Sequence, residues 1–231
     1  MKLLVVAAEA REVQGILAHA RRVRIAHVGA DWARFASLGD HELLLVAHGA
    51  GPARAAAAVE PSAAVFHPDA IVCTGFCGAL LESLGVASMV VATAAAGATG
   101  RFTAQAPAVA RPHHCGLVST IDHVAQSAEE KRDLRRTGAS AVDMEAAAVA
   151  ERAAALGVPF YCIKSVTDLA GETLANDLNA ALRPDGHFDT IRILGSVLGR
   201  PSARLPELLR LRSRSARAAR ALGDFFADCR F

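Results

Sequence analysis

The chain has 231 residues, 52% of them hydrophobic, which is ample for a core, and no Ser/Gly/Pro-rich linker divides it, so one domain is expected and not two. A formal net charge of +2 gives no strong global field, and a single Trp and a single Tyr disfavour a nucleic-acid module built on base stacking. No segment reaches the roughly 20 apolar residues of a membrane span, the apolar Met1–Ala8 run leads straight into Glu9, Arg11 and Glu12 as a first strand and not a signal peptide would, and five cysteines, an odd number, fit reduced thiols in the cytosol.

In chain order, strand patterns at Lys2–Ala8, Glu42–Ala47, Ala70–Thr74, Val86–Thr93, Gly116–Thr120 and Phe160–Val166 alternate with helical patterns at Glu12–Ala20, Pro52–Val59, Ala128–Arg136 and Met144–Leu156. That order implies a layered α/β fold with a largely parallel sheet, and the chain contains no internal repeat. Glycine turns follow two of the strands, His48-Gly49-Ala50-Gly51-Pro52 and Thr74-Gly75-Phe76-Cys77-Gly78. Such turns let backbone N–H groups approach an anionic or hydroxyl-rich ligand, but they serve equally as tight connections. Gly49-Ala50-Gly51 lacks the third glycine of a dinucleotide fingerprint, so no such cofactor is expected. His113-His114-Cys115 has no second cluster at a zinc-like spacing, and no metal site is expected. Cys73 and Cys77 lack the two-residue gap of a redox pair.

The most informative stretch runs from Ala141 to Glu172. Phe160–Val166 is apolar apart from Lys164 and Ser165, as in a strand covered on both faces. Thr167 and Asp168 then fall at its carboxyl end, where ligands sit in open α/β sheets. Upstream, Asp143 or Ser140 can cap a helix beginning at Met144 and Glu145 and closed by Gly157 and Pro159.

These residues carry a family resemblance. The opening strand with Glu12, the Gly49–Gly51 turn, Thr74-Gly75 with Cys77-Gly78, Val142-Asp143-Met144-Glu145 and Ser165-Val166-Thr167-Asp168 resemble the superfamily of purine nucleoside phosphorylases and methylthioadenosine/S-adenosylhomocysteine nucleosidases, over residues 1 to about 198. The resemblance implies a three-layer α/β/α sandwich with a mixed, largely parallel twisted sheet, a homo-oligomer, no cofactor, and cleavage of a purine nucleoside. It assigns Glu12 to the attacking water, with Glu9 as its near competitor, Asp168 to protonation of the leaving purine at N7, and Met144 with Glu145 to the ribose. It also sets Ala8, Gly51, Thr74, Gly75, Phe76, Val124, Asp143 and Thr167 around the base and the water or phosphate pocket.

Departures from the pattern bear on mechanism and substrate. Phosphorylases of the superfamily hold phosphate with an arginine and a serine where this chain has Cys73 and Phe76, so hydrolysis is expected. Phosphorolysis, with phosphate as co-substrate and Arg54 as its contact, is the alternative, though Arg54 reads first as an exposed helix residue. Ile121-Asp122-His123-Val124 replaces a Gly-Asp-x-Phe segment whose aromatic ring stacks on the purine, which removes that stacking. The Ala/Gly-rich segment from Ala94 to Pro112 is short where relatives carry an insertion near the 5' substituent, which implies a more open 5' pocket.

The segment 199–231 is a basic amphipathic extension of the same domain. From Arg200 it carries eight arginines against Glu207, Asp224 and Asp228, and Leu205, Leu208, Leu209, Ala216, Ala219, Leu222 and Phe226 form an apolar helical stripe. Such a helix can lie on an anionic membrane surface, or pack on its own domain or on a subunit neighbour. It resembles the C-terminal extension of the hopanoid-associated phosphorylases, which implies a lipid at the 5' carbon and a role in hopanoid biosynthesis. A catalytically idle nucleoside-binding or membrane-associated partner is the non-enzymatic alternative.

Overall fold

The computed structural model describes residues 1–231. Strand β1 (Lys2–Ala7) leads through one 3-10 turn (Ala10–Val13) into α1 (Gln14–His19), followed by β2 (Arg21–Ile25), β3 (Trp32–Leu38), β4 (His41–Ala47) and α2 (Pro52–Phe66). Next come β5 (Ala70–Ala79), β6 (Met89–Gly97), β7 (Gly100–Thr103), β8 (His114–Thr120), α3 (Ala128–Arg135), β9 (Ala139–Asp143) and α4 (Ala146–Ala155). The chain ends with β10 (Phe160–Asp168), α5 (Leu178–Ala181), α6 (Thr190–Val197) and α7 (Pro201–Asp228).

All ten strands form one mixed sheet. Its spine, β4-β1-β5-β10, is parallel, and so are β6-β8 and β8-β9. Because β10 pairs with both β5 and β6, and β9 returns to β5, five strands close into a small barrel while β1, β4, β3 and β2 fan out as an open edge. Strand β1 shows how both faces are filled. Leu4 and Val6 join the core with α2 and α4, and Leu3, Val5 and Ala7 join the core on the other face with α1 and α7. This two-sided apolar alternation is what a strand covered by helices on both faces requires. The three layers are therefore helix, sheet, helix.

The hydrophobic pattern did not reveal β2, β3, β7 or β9, for physical reasons: β3, WARFASL, buries only Ala33, Ala36 and Leu38, at uneven spacing. Strand β2 reads RRVRI and is exposed at every position of the sheet edge, and β7 has four residues on a hairpin. Strand β9, ASAVD, is short and built of small residues. The antiparallel pairings β2-β3, β3-β4, β5-β9, β6-β7 and β6-β10 make the sheet more mixed than the alternation suggested. Helix α2 continues through Pro61 to Phe66 instead of stopping near Val59. The proline forfeits a backbone hydrogen bond, which the burial of Ala63 and Phe66 offsets.

The stripe expected on the tail divides. In the second half of α7, Ala219, Leu222 and Phe226, with Phe225, are buried against the domain. In the first half, Leu205 and Leu209 are exposed, as are Ile191, Leu194 and Leu198 in and just after α6. No helix is long and apolar enough to cross a membrane.

Helices α1 and α7 touch backbone to backbone at Gly15 and Gly223, where an added Cβ on Gly15 would run into the Ala219 carbonyl. Overpacking of this type costs roughly 1–3 kcal/mol. Gly15→Ala is expected to lower the melting temperature by about 2–12 °C in a thermal melt, and an unchanged melt would mean that the helices separate freely.

Candidate active site

One cavity of about 770 Å³ opens at the carboxyl ends of the parallel strands. It gathers residues from the whole length of the chain: Glu12 after β1, Asp143 to Glu145 between β9 and α4, Thr167 and Asp168 at the end of β10, and a far wall from α5, α6 and α7.

Glu12 sits on the 3-10 turn, 7% exposed, where its Oε2 accepts from the Ala8 and Glu9 amides at 2.9 and 3.2 Å and its Oε1 from the Phe76 amide at 3.1 Å. Glu9 instead pairs with Arg11 near the surface. The Phe76 contact depends on Gly75, whose φ of +118° aims the chain at the carboxylate, and a Cβ there would lie 2.6 Å from Oε2. Burial, and then the charge of Glu145, raise the Glu12 pKa to about 7, while Lys164 and the backbone amides restrain the rise.

Glu145 stands at the start of α4, and its Oε1 accepts from the Gly51 amide at 3.1 Å. Its Oε2 meets Lys164 Nζ at 3.4 Å. Lys164 has no exposed side-chain surface, and its ammonium lies 2.7 Å from Asp143 and also donates to the Thr74 carbonyl. Asp143 in turn accepts from Thr120 Oγ1 and from the amide of Ala146, the first residue of α4, although the N-cap position itself falls to Glu145 and not to Asp143. Ser140, the other capping candidate, meets His114. Burial pushes Glu145 up, Lys164 pulls it back and Asp143 raises it again, with a net rise. Burial alone would lower Lys164, but Asp143 and the other surrounding acids hold its pKa well above the ordinary value.

Asp168 is held by Lys131 of α3 and by Thr167 Oγ1. Burial raises its pKa, and Lys131 and Thr167 offset only part of that rise.

Of the residues expected around the ligand, Ala8, Glu12, Phe76, Val124, Asp143, Met144, Glu145, Thr167 and Asp168 line the cavity. Gly51, Thr74 and Gly75 do not. They stand behind its wall, with Gly51 and Gly75 supporting Glu145 and Glu12 through backbone contacts and Thr74, fully buried, bonding to the Ile163 carbonyl. Arg54 is no free helix arginine, since it donates to the His48 carbonyl and pairs with Asp31, both at 2.6 Å. The Ala94–Pro112 segment does not reach the cavity, much of it forming the β6-β7 hairpin. Aromatic surface is present after all, in Phe76, Phe188 and His123. His113, His114 and Cys115 diverge: His113 packs on Phe225, His114 meets Ser140 and Cys115 is exposed.

Sequence reasoning missed Lys164, Lys131 and the wall from Leu174 to Ser215. Lys164 did leave a signal, a lone cation in an apolar strand, where a buried charge demands partners. Lys131 left none, because α3 reads AEEKRDLR and looks like a solvated face.

Three comparisons bear on this geometry. The family model described as the phosphorylase superfamily matches residues 2–114 and 102–185. A 5'-methylthioadenosine/S-adenosylhomocysteine nucleosidase from Staphylococcus saprophyticus is 30% identical over 162 residues, 58% of this chain and 71% of that protein. Among solved structures, the S-adenosylhomocysteine nucleosidase of Streptococcus pyogenes in complex with 5-methylthiotubericidin superposes with a TM-score of 0.73 at 20% identity, covering 98% of this chain and 96% of that one. The 5'-methylthioadenosine/S-adenosylhomocysteine nucleosidase of Neisseria meningitidis in complex with methylthio-immucillin-A gives 0.73 at 20% identity, covering 98% of each. The chain belongs to the phosphorylase superfamily. Within it the chain stands with the nucleosidases, enzymes that cleave N-glycosidic bonds.

Glu12 links the site to stability. Its pKa is higher in the folded state than in the unfolded chain, so its stabilising contribution is complete below the ordinary value of 4.5 and is lost as pH rises to about 7. The stability advantage of the wild type over Glu12→Gln, measured by urea unfolding, is expected to shrink by on the order of 3 kcal/mol across that window. A constant difference would mean that Glu12 titrates normally.

Proposed function

We propose that the protein hydrolyses the N-glycosidic bond of a 5'-substituted adenosine and releases adenine. The observation that carries this reading is the convergence of Glu12, Glu145 and Asp168, distant in sequence, on one cavity. Breaking a ribosyl–purine bond builds positive charge on the sugar and negative charge on the base, which calls for a carboxylate at the sugar and an acid at the base. Glu12, balanced near neutrality, takes a proton from the attacking water. Glu145, braced by Gly51 and Lys164, accepts the vicinal ribose hydroxyls, with Met144 beside it. Asp168, held toward its protonated form by burial, donates to N7 of the base. Phe76 and Phe188 supply the aromatic surface.

Water is the nucleophile in this reading. The strand that would carry a phosphate-binding arginine has buried Cys73, and Arg54 is committed to Asp31 and the His48 carbonyl. Phosphate is therefore no co-substrate, and no cofactor is needed. Adenine release from methylthioadenosine is expected to proceed at the same rate with and without phosphate. In the same assay Asp168→Asn is expected to lose about 10²–10⁴-fold in kcat and to melt at a lower temperature while remaining folded, because the buried Lys131 ammonium loses its carboxylate, and kcat/KM is expected to fall as pH drops below about 7, because the protonated form of Glu12 cannot accept a proton. Dependence on phosphate, or near-normal turnover by Asp168→Asn, would reject the reading.

The 5' group is large and apolar in this proposal. Beyond the acids the cavity is walled by Leu174, Leu178, Ile193, Leu208 and Leu211. Its volume lies within the roughly 300–1,000 Å³ that encloses a drug-sized ligand. A lipid of the adenosylhopane type, the substrate implied by the resemblance to the hopanoid branch, suits that wall. The exposed side chains Ile191, Leu194, Leu198, Leu205 and Leu209 lie on the neighbouring helices, among arginines that include Arg200 and Arg212. In this reading the enzyme works in the cytoplasm as a homo-oligomer and rests this face on anionic lipid. The wild type should sediment with phosphatidylglycerol vesicles, and the double variant Ile191→Asp, Leu198→Asp should not. Equal sedimentation of the two would overturn the membrane contact and leave the chemistry standing.

A further inference from the structure

Lys131 is a cation buried where its helix gives no reason for one. It is 1% exposed on α3, whose other seven residues all keep some contact with solvent. Its Nζ donates to Asp168 Oδ2 at 2.5 Å, to the Leu169 carbonyl at 2.9 Å and to the Glu172 carbonyl at 3.5 Å. The second oxygen of Asp168, Oδ1, accepts only from Thr167 Oγ1, at 3.1 Å.

Burying an ammonium costs several kcal/mol before pairing. Tying down the loop after β10 does not require that cost, because a neutral amide can donate to two carbonyls. What an ammonium adds is a proton. The contact also poses a chemical problem, since an ammonium favours the ionised carboxylate, the wrong state for an acid, while burial favours the protonated one. The two facts are reconciled if the pair is treated as one proton-holding unit.

Resting on the reading of Asp168 as the acid that serves the leaving base, we propose that the proton is stored on Lys131 and passes to the base through Asp168. When the C1'–N9 bond breaks, its electron pair stays with the base. Asp168 gives a proton to N7 and takes one from Lys131 Nζ, which becomes a neutral amine. Water oxygen bonds to C1' and yields its proton to Glu12. Exchange with solvent removes the proton from Glu12 and restores one to Lys131, so one water is consumed and no charge accumulates. Lys131 acts through Asp168 and is a positioning and proton-supplying residue. The other polar or ionisable groups facing the pair are Thr167 on β10, Cys77 on β5, whose thiol is held well above its ordinary pKa by burial, and Glu172 in the following loop. Glu172 is itself neutralised by Arg210 and Arg214 of α7.

The test compares two leaving groups. Adenine needs the proton, whereas the 4-nitrophenolate of a 5'-methylthio-4-nitrophenyl riboside departs without one. Lys131→Arg keeps the charge and the donors, but a guanidinium does not give up its proton. In that variant the ratio of kcat/KM for methylthioadenosine to that for the nitrophenyl riboside is expected to fall by about 100-fold or more. A merely structural lysine would leave the ratio unchanged, and that outcome overturns the proposal. Lys131→Met leaves Asp168 a lone carboxyl, so its high-pH limb for methylthioadenosine should move at least about one unit to lower pH, and coincidence with the wild type overturns the proposal. Should neither variant fold, the wild type decides. Its high-pH limb must appear for methylthioadenosine alone and lie above about pH 9, beyond the usual tail for a buried aspartic acid, and a lower limb, or one shared by both substrates, overturns the relay. The failures are separable: full activity in Asp168→Asn removes the acid itself, whereas loss there with an unchanged ratio in Lys131→Arg removes only the relay.

Discussion

A single ammonium group, that of Lys164, sits with no exposed side-chain surface among Asp143, Glu145 and the Thr74 carbonyl. Removing one partner from a buried ion pair of this type commonly costs 3–5 kcal/mol, because the remaining charge is stranded. The arrangement joins the end of β9, the start of α4 and the middle of β10, elements from distant parts of the chain. It also opposes the burial that would otherwise neutralise Glu12 and Glu145. Fold and chemistry thus meet at one residue, since the contacts that hold the strands in register also set the charge of the cavity.

The second cation, Lys131, has the same physical character at the other acid. Neither lysine lines the cavity itself, and each reaches a carboxylate from behind. The cavity therefore presents acids to its interior and keeps the compensating ammonium groups in its wall. A cationic sugar is accommodated beside these acids.

The far wall gives the site its individuality. Glu207 of α7, 3% exposed, accepts from the Ala175 and Asn176 amides at 2.8 Å each and so fastens the first half of α7 beside the mouth. Gly186 and Ala50 meet backbone to backbone, which brings His187 and Phe188 over the glycine turn after β4. The terminal helix is consequently part of the enclosure, with its second half packed in the core and its first half shared between cavity and surface.

Local pattern in the sequence was sufficient for the parallel spine, the helices α2 to α4 and the acids at the strand ends, because a two-sided apolar strand and a capped helix leave periodic signatures that do not depend on distant contacts. The family resemblance of the motifs, and not the local pattern, singled out Glu12, Glu145 and Asp168 among those acids. Strands β2, β3, β7 and β9, the cations behind the acids and the apolar far wall were decided only in three dimensions. An edge strand with no buried face has no hydrophobic period, and a lysine in a polar helix looks solvated until the fold closes over it. Whether a glycine lines a ligand or supports a carboxylate, as Gly51 and Gly75 do, depends on which side chain arrives from elsewhere in the chain. That arrival is a property of strand order, which sequence spacing does not encode.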